Sequence, residues 1–171
     1  MNRKQVIAVL FALPAMVLVA LSWWFAPQLF GVAELPADDI ASRLAFAARW
    51  LIVPGLTLLA GIVGASRRGF YIDAIDGTRT PSNWGLEINL RYNQNTIEQT
   101  VLAAIAWAGL AVTVTHDQLI AIPAMAVLFA IGRVTFWIGY LVNPLARGFG
   151  MTLTALPTVA AYAWLTAQGF A

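Results

Sequence analysis

Apolar runs, each about as long as a bilayer crossing, alternate along this chain with short polar connections. Five of them are legible: Gln5 to Leu29, Leu44 to Ala65, Ile97 to Thr115, Gln118 to Leu141 and Phe149 to Leu165. A hydrocarbon core about 30 Å thick takes roughly 20 helical residues. The apolar positions are continuous and do not alternate at period two, so the pattern predicts spanning helices and not the strands of a closed barrel. The first run also has features of a secretory leader, with Arg3 and Lys4 ahead of it and the small residues Ala20 and Ser22 within it. It continues through Trp23, Trp24 and Phe25, an interfacial aromatic anchor, to Pro27 and Phe30, and is read as a retained helix.

Composition agrees with a membrane protein and removes several alternatives. Of 171 residues, 60% are hydrophobic and 11% charged, against a charged share of about 25% in soluble domains. Too few polar side chains exist to cover a water-facing surface, which excludes an ordinary soluble globule. The absence of cysteine excludes disulfides, thiolate metal sites and a cysteine nucleophile of the protein's own. A net charge of +2 with no basic run gives no footprint for nucleic acid.

The cations orient the spans. Arg3, Lys4, Arg67, Arg68, Arg79, Arg91 and Arg147, seven of the ten Lys and Arg residues, fall on one side of the predicted membrane. The opposite side carries Glu34, Asp38 and Asp39 with Arg43, a turn at His116 and Asp117, and Arg49, whose long side chain can reach that surface. The positive-inside rule then predicts a cytoplasmic N-terminus in an inner, plasma-type membrane, expected to be bacterial.

Within the apolar background, polar side chains recur in register. Each ionised group on a span costs about 2.5–3.5 kcal/mol on insertion scales, so each needs a reason. Arg91, Asn95 and Glu98 stand at i, i+4 and i+7, which sets them on one helical face. Arg133, Tyr140 and Arg147 recur every seven residues along the fourth span, with Pro144 ending or kinking the helix before Arg147. Two readings stand side by side. Glu98 and Arg133 form an intramembrane ion pair, with Arg91 and Arg147 holding lipid headgroups; or the mixture of cations, amide, carboxylate and phenol binds a zwitterionic ligand.

The ordered set of motifs is informative as a whole: Arg67-Arg68 closing one span, Arg91-x3-Asn95-x2-Glu98 opening the next, then Arg133-x6-Tyr140-x6-Arg147 with Gly139-Tyr140 and Arg147-Gly148-Phe149-Gly150. This set resembles the MAPEG family, the membrane-associated proteins in eicosanoid and glutathione metabolism that include microsomal glutathione transferases and leukotriene-C synthase. The resemblance implies an all-α four-helix membrane bundle over residues 44–171, assembled as a homotrimer. Residues 1–43 would add one N-terminal transmembrane helix and an outer loop to that plan. It further implies that Arg67, Arg68, Arg91, Asn95, Glu98 and Tyr140 hold glutathione as co-substrate between subunits, and that Arg147 faces its sulfur. The expected activity is a glutathione-dependent transferase or peroxidase acting on lipophilic electrophiles or lipid hydroperoxides, with no metal. The pattern departs from leukotriene-C synthase at Phe136 and Gln99, where that enzyme carries tyrosines, and at Val142, where the family carries an arginine. The family also contains a binding protein without catalysis, the 5-lipoxygenase-activating protein, in which the thiol-activating arginine is not retained. A noncatalytic member that binds a lipid or protein partner is therefore the second functional reading, and a small transporter or channel using Glu98 and Arg133 the third.

Other features carry plainer expectations. The inner connection Gly69 to Leu90 holds Asp73, Asp76 and Glu87 among turn residues and is read as a solvated loop capping the polar pocket, not a metal site. Asp117 is expected to cap a helix. Trp107, Trp137 and Trp164 are read as packing or lipid-facing aromatics, and Gly61, Gly64, Gly132 and Gly139 as points of close helix approach.

Overall fold

The computed structural model describes residues 2–31 and 35–169, so Glu34 of the outer loop lies outside the described residues. The chain folds into helices α1 (Arg3–Leu29), α2 (Ile40–Trp50), α3 (Ile52–Ser66), α4 (Trp84–Thr113), α5 (Ala121–Val142) and α6 (Arg147–Gly169), with no strand among the described residues. Capping chemistry sets several of the starts. Asn2 and Gln5 form a reciprocal capping box at α1, with Asn2 N–H donating to Gln5 Oε1 at 2.7 Å and Gln5 N–H to Asn2 Oδ1 at 3.0 Å. Asp39 Oδ1 accepts from Ser42 N–H at 2.9 Å at α2.

The predicted second span is broken in two, because Pro54 has no N–H to offer the carbonyl one turn earlier at Trp50, where the break falls. The family-like segment expected to begin at residue 44 therefore begins inside α2. The largest change is in the third predicted span, which is α4. It starts at Trp84, well before the apolar run at Ile97, because Asn83 Oδ1 accepts from Leu86 N–H at 2.9 Å and supplies a cap. Arg91, Asn95 and Glu98 thus sit two to four turns inside a continuous helix. Asp117, expected to cap, does not: its Oδ1 accepts from the Thr115 hydroxyl at 2.6 Å, while His116 Nε2 meets the Pro36 carbonyl at 2.8 Å.

Arg3–Leu29, Ile40–Phe70, Trp84–Thr113 and Asp117–Val142 are long and apolar enough to cross a membrane. The predicted fifth span corresponds to α6, which at 23 residues is long enough but less apolar. Two of its threonines, Thr154 and Thr158, are turned inward and buried. Helix α5 is the axis of the bundle, with 12 of its 22 residues buried, whereas α1 buries three of 27 and lies on the outside of α5 and α6. Ala15 and Val19 of α1 pack on Leu128 and Leu153. The main apolar core, including Phe46, Trp107, Met125 and Phe129, joins α2, α4, α5 and α6.

Glycines make the helix contacts close. A Cβ on Gly61 would lie 2.9 Å from the Tyr92 ring, on Gly132 2.7 Å from Thr154 Cγ2, and on Gly139 2.9 Å from the Ala146 backbone. Gly64 also faces a side chain, Asn89, at 3.3 Å. At Gly150 the neighbours are the Gly132 carbonyl and the backbone of Phe136, so α5 and α6 touch backbone to backbone there. Trp107 is a core residue, 1% exposed, and Trp164 packs at the edge of that core. Trp137 is half exposed and its indole N–H donates to Asn89 Oδ1 at 2.9 Å.

Candidate functional site

At the end of the bundle where α4 and α6 begin and α5 ends, a cavity of about 480 Å³ opens to the surface. Arg91, Asn95, Glu98, Tyr140 and Arg147 line it, so five of the residues singled out in the sequence converge from three helices. Arg147 does not continue the face of the fourth span. Helix α5 stops at Val142, the chain turns through Asn143–Ala146, and Arg147 is the first residue of α6. The turn is held by Ala146 N–H donating to the Asn143 carbonyl at 2.8 Å, and it folds Arg147 back over Tyr140.

Tyr140, 2% exposed, is the hub. Its hydroxyl oxygen accepts from Arg147 Nη1 at 2.6 Å and from Arg91 Nη1 at 3.2 Å, and the Arg147 guanidinium carbon stands 4.7 Å from the phenol ring centre. With both acceptor sites of the oxygen occupied, the phenolic hydrogen remains free to donate to a ligand. Arg91 is tied on its other side to Glu87 at 2.5 Å, one turn earlier on α4. Glu98 Oε1 accepts from Gln94 Nε2 at 2.9 Å, which leaves an exposed carboxylate free to take an ammonium group. The site combines two guanidinium groups, a phenol, an amide and a carboxylate.

The ion pair between Glu98 and Arg133 is not formed. Arg133 is fully buried, and its guanidinium donates to Asn95 Oδ1 at 2.7 Å and to the Thr154 hydroxyl at 2.5 Å. The same cation lies 4.7 Å from the Phe136 ring centre and 5.7 Å from that of Phe129. Phe136, one of the positions without a phenol, is thus a wall of the arginine's chamber and also of the pocket. By occupying Asn95 Oδ1, Arg133 leaves the amide N–H₂ as the group Asn95 can offer a ligand. Arg133 is a structural member that sets the polarity of the pocket floor.

Arg67 and Arg68 stand apart from these five. Arg67 is exposed. Arg68 Nε donates to the Ala74 carbonyl at 3.0 Å and lines a second, adjoining cavity. Gln94 was missed in the sequence, although its place four residues before Glu98 on a helix could have revealed it. Among the described residues no group of His, Asp and Glu is placed to hold a metal ion.

This architecture defines a polytopic helical membrane protein with a polar pocket at one end of its bundle. The MAPEG family model matches residues 44–167, and the chain belongs to the MAPEG family. Among curated proteins it is similar to Transmembrane protein 79 of Mus musculus, 28% identical over 152 residues, covering 85% of this chain and 39% of that protein. It is similar also to Transmembrane protein 79 of Bos taurus, 27% identical over 135 residues, covering 79% of this chain and 33% of that protein. The chain therefore spans well under half the length of these relatives. No solved structure is a significant match.

Proposed function

We propose that this protein binds glutathione in the pocket under Tyr140 and uses it as a transferase or peroxidase on lipophilic electrophiles or lipid hydroperoxides. The observation that carries the reading is the convergence of Arg147 and Arg91 on the Tyr140 hydroxyl beside the free carboxylate of Glu98. Glutathione brings an ammonium, two carboxylates and a thiol. Glu98 takes the ammonium, Arg91 and the Asn95 amide take a carboxylate, and Arg147 with the Tyr140 hydroxyl meets the sulfur. A thiol with a pKa near 8.5 is only a few per cent ionised at neutral pH, and a guanidinium at the sulfur raises that fraction. In the transferase reaction the thiolate forms a bond to the electrophilic carbon and a leaving group departs with its electron pair. In the peroxidase reaction the thiolate takes the terminal peroxide oxygen as the O–O bond breaks and the alkoxide is protonated. A second glutathione then releases the disulfide and water.

The pocket is open on one side, and the exposed stripe Ile97, Val101 and Ile105 continues along α4 from its mouth. This supports a homotrimer in which a neighbouring subunit closes the site, with Arg67 reaching a neighbour's ligand. The seven cations gathered at this end support a cytoplasmic pocket and N-terminus.

The test is glutathione added to the purified full chain in detergent, read by thermal shift and by the ultraviolet absorbance of the thiolate. Glu98→Ala is expected to weaken glutathione binding about tenfold, the scale of one partly exposed charged hydrogen bond, while leaving the thiolate fraction of the saturated protein unchanged. If the wild type gives neither a thermal shift nor a thiolate signal, the noncatalytic reading replaces this one.

A further inference from the structure

The connection between α3 and α4 is an organised loop. Ser82 N–H donates to Asp73 Oδ2 at 2.7 Å and Thr78 N–H to Asp76 Oδ1 at 3.0 Å, and these bonds hold both carboxyls below the usual aspartate range. Gly77, at φ +78°, allows the turn that packs against Arg68: a Cβ there would lie 3.3 Å from the guanidinium. The result is a second cavity of about 410 Å³ lined by Arg68, Arg79, Arg91 and one carboxylate, Glu87, and contiguous with the first through Leu90 and Arg91. Glu87 is already paired with Arg91, and among the described residues Arg79 has no carboxylate within ion-pair distance. The walls thus present an excess of guanidinium, part of it pre-positioned by backbone.

The same connection and the helix ends that flank it also expose apolar side chains. Phe70 is 88% exposed and Ile72 96%, and Ile75 and Trp84 are also exposed. Isoleucines and a tryptophan at the mouth of a helical bundle belong at the membrane interface. The lipid phosphates lie at that interface, where guanidinium groups of the same connection can meet them.

We infer that the cavity formed by Arg68, Arg79 and Arg91 is a phosphate-ester site that seats the headgroup of an anionic phospholipid at the membrane surface. Arg68 and Arg79 clamp the phosphodiester, Ile72 and Phe70 lie among the adjoining acyl chains, and the headgroup borders the thiol pocket without entering it. The site does not rest on glutathione being the ligand next door.

The experiment uses the purified full chain in detergent with added phosphatidylglycerol, and lipid retention is counted by native mass spectrometry. The wild type is expected to retain one phosphatidylglycerol per chain. Arg79→Gln lowers retention about fivefold, the loss of one interfacial cation, and Arg79→Lys retains most of it. Arg49→Gln, at the other end of the bundle, behaves as wild type. Ile72→Ser lowers retention without changing oligomeric state. Inorganic phosphate and glycerol phosphate serve as soluble probes, and neither is expected to raise the thermal midpoint at millimolar concentration. Equal retention by Arg79→Gln and wild type overturns the proposal. So does an Arg79-dependent thermal shift with the soluble phosphates that exceeds the lipid effect, because the ligand would then be a free anion. A loss of glutathione stabilisation in Arg79→Gln as large as in Glu98→Ala also overturns it, by assigning the cavity to the thiol site.

Discussion

Gly150→Ala is expected to destabilise the protein by roughly 2 kcal/mol or more, although alanine is the better helix former by about 1 kcal/mol. The Cβ has nowhere to go. Its neighbours would be the Gly132 carbonyl and the backbone of Phe136, which belong to α5 and cannot swing aside as a flexible side chain would. Overpacking typically costs about 1–3 kcal/mol, and a collision with backbone belongs at or above the upper end. The helices must separate, and the consequence reaches the site. Helix α6 carries Arg147 three residues from Gly150, and Arg147 stands 2.6 Å from a tyrosine on α5. A lowered thermal midpoint in detergent should therefore come with a weaker thiolate signal. Gly55→Ala is the control, since nothing lies within 4 Å of a Cβ at that position, and it should be neutral or slightly stabilising. Equal midpoints for the two variants would mean that α5 and α6 do not depend on this contact.

Hydropathy was enough to read a bundle of spanning helices, because continuous apolar runs have one solution in lipid. It misplaced the boundaries where local hydrogen bonding acts against the apolar signal. The Asn83 cap extends α4 back across a polar segment that hydropathy alone would leave as loop, and Pro54 divides a run that is uniformly apolar. Periodicity was sound for Arg91, Asn95 and Glu98, which share one uninterrupted helix. It failed for Arg147, where the heptad spacing from Tyr140 is coincidental and a turn, not a helical face, brings the two together. The partner of Arg133 was beyond sequence reasoning for a physical reason. Opposite charges suggested Glu98, yet at full burial the guanidinium is served by an amide, a hydroxyl and two aromatic faces. The role of Arg79 was hidden as well, since it depends on how the loop folds back on Arg68 through Gly77.

Arg147→Ala should separate chemistry from binding more sharply than any other substitution. In the wild type the Arg147 guanidinium fixes the Tyr140 hydroxyl and stands at the mouth of the pocket. If the glutathione sulfur lies there, the thiol is ionised at pH values where the free thiol is protonated, each unit of pKa depression being worth 1.36 kcal/mol. Thiolate is then present above the depressed pKa and lost as pH falls through it. Removing the cation returns the sulfur toward its ordinary pKa near 8.5. The thiolate absorbance at pH 7 should fall to the few per cent expected of free thiol. Turnover should drop about 10²–10³-fold, the scale measured for deletion of one preorganised charge-stabilising donor. The two effects differ in their pH dependence. Loss of ionisation is recovered at high pH, so the gap between variant and wild type should narrow above pH 9 and the acidic limb of the rate profile should move upward. Loss of transition-state stabilisation is not recovered, and what persists at high pH measures it. Glutathione affinity measured below the depressed pKa, where the thiol is protonated in both proteins, should change by less than about threefold, because Glu98, Asn95 and Arg91 still hold the ligand; at pH 7 it falls in step with the lost ionisation. Arg147→Lys should retain part of the thiolate. A variant that keeps the wild-type thiolate fraction, or one that loses affinity for the protonated thiol as severely as Glu98→Ala, would remove Arg147 from the sulfur and place it among the groups that merely bind.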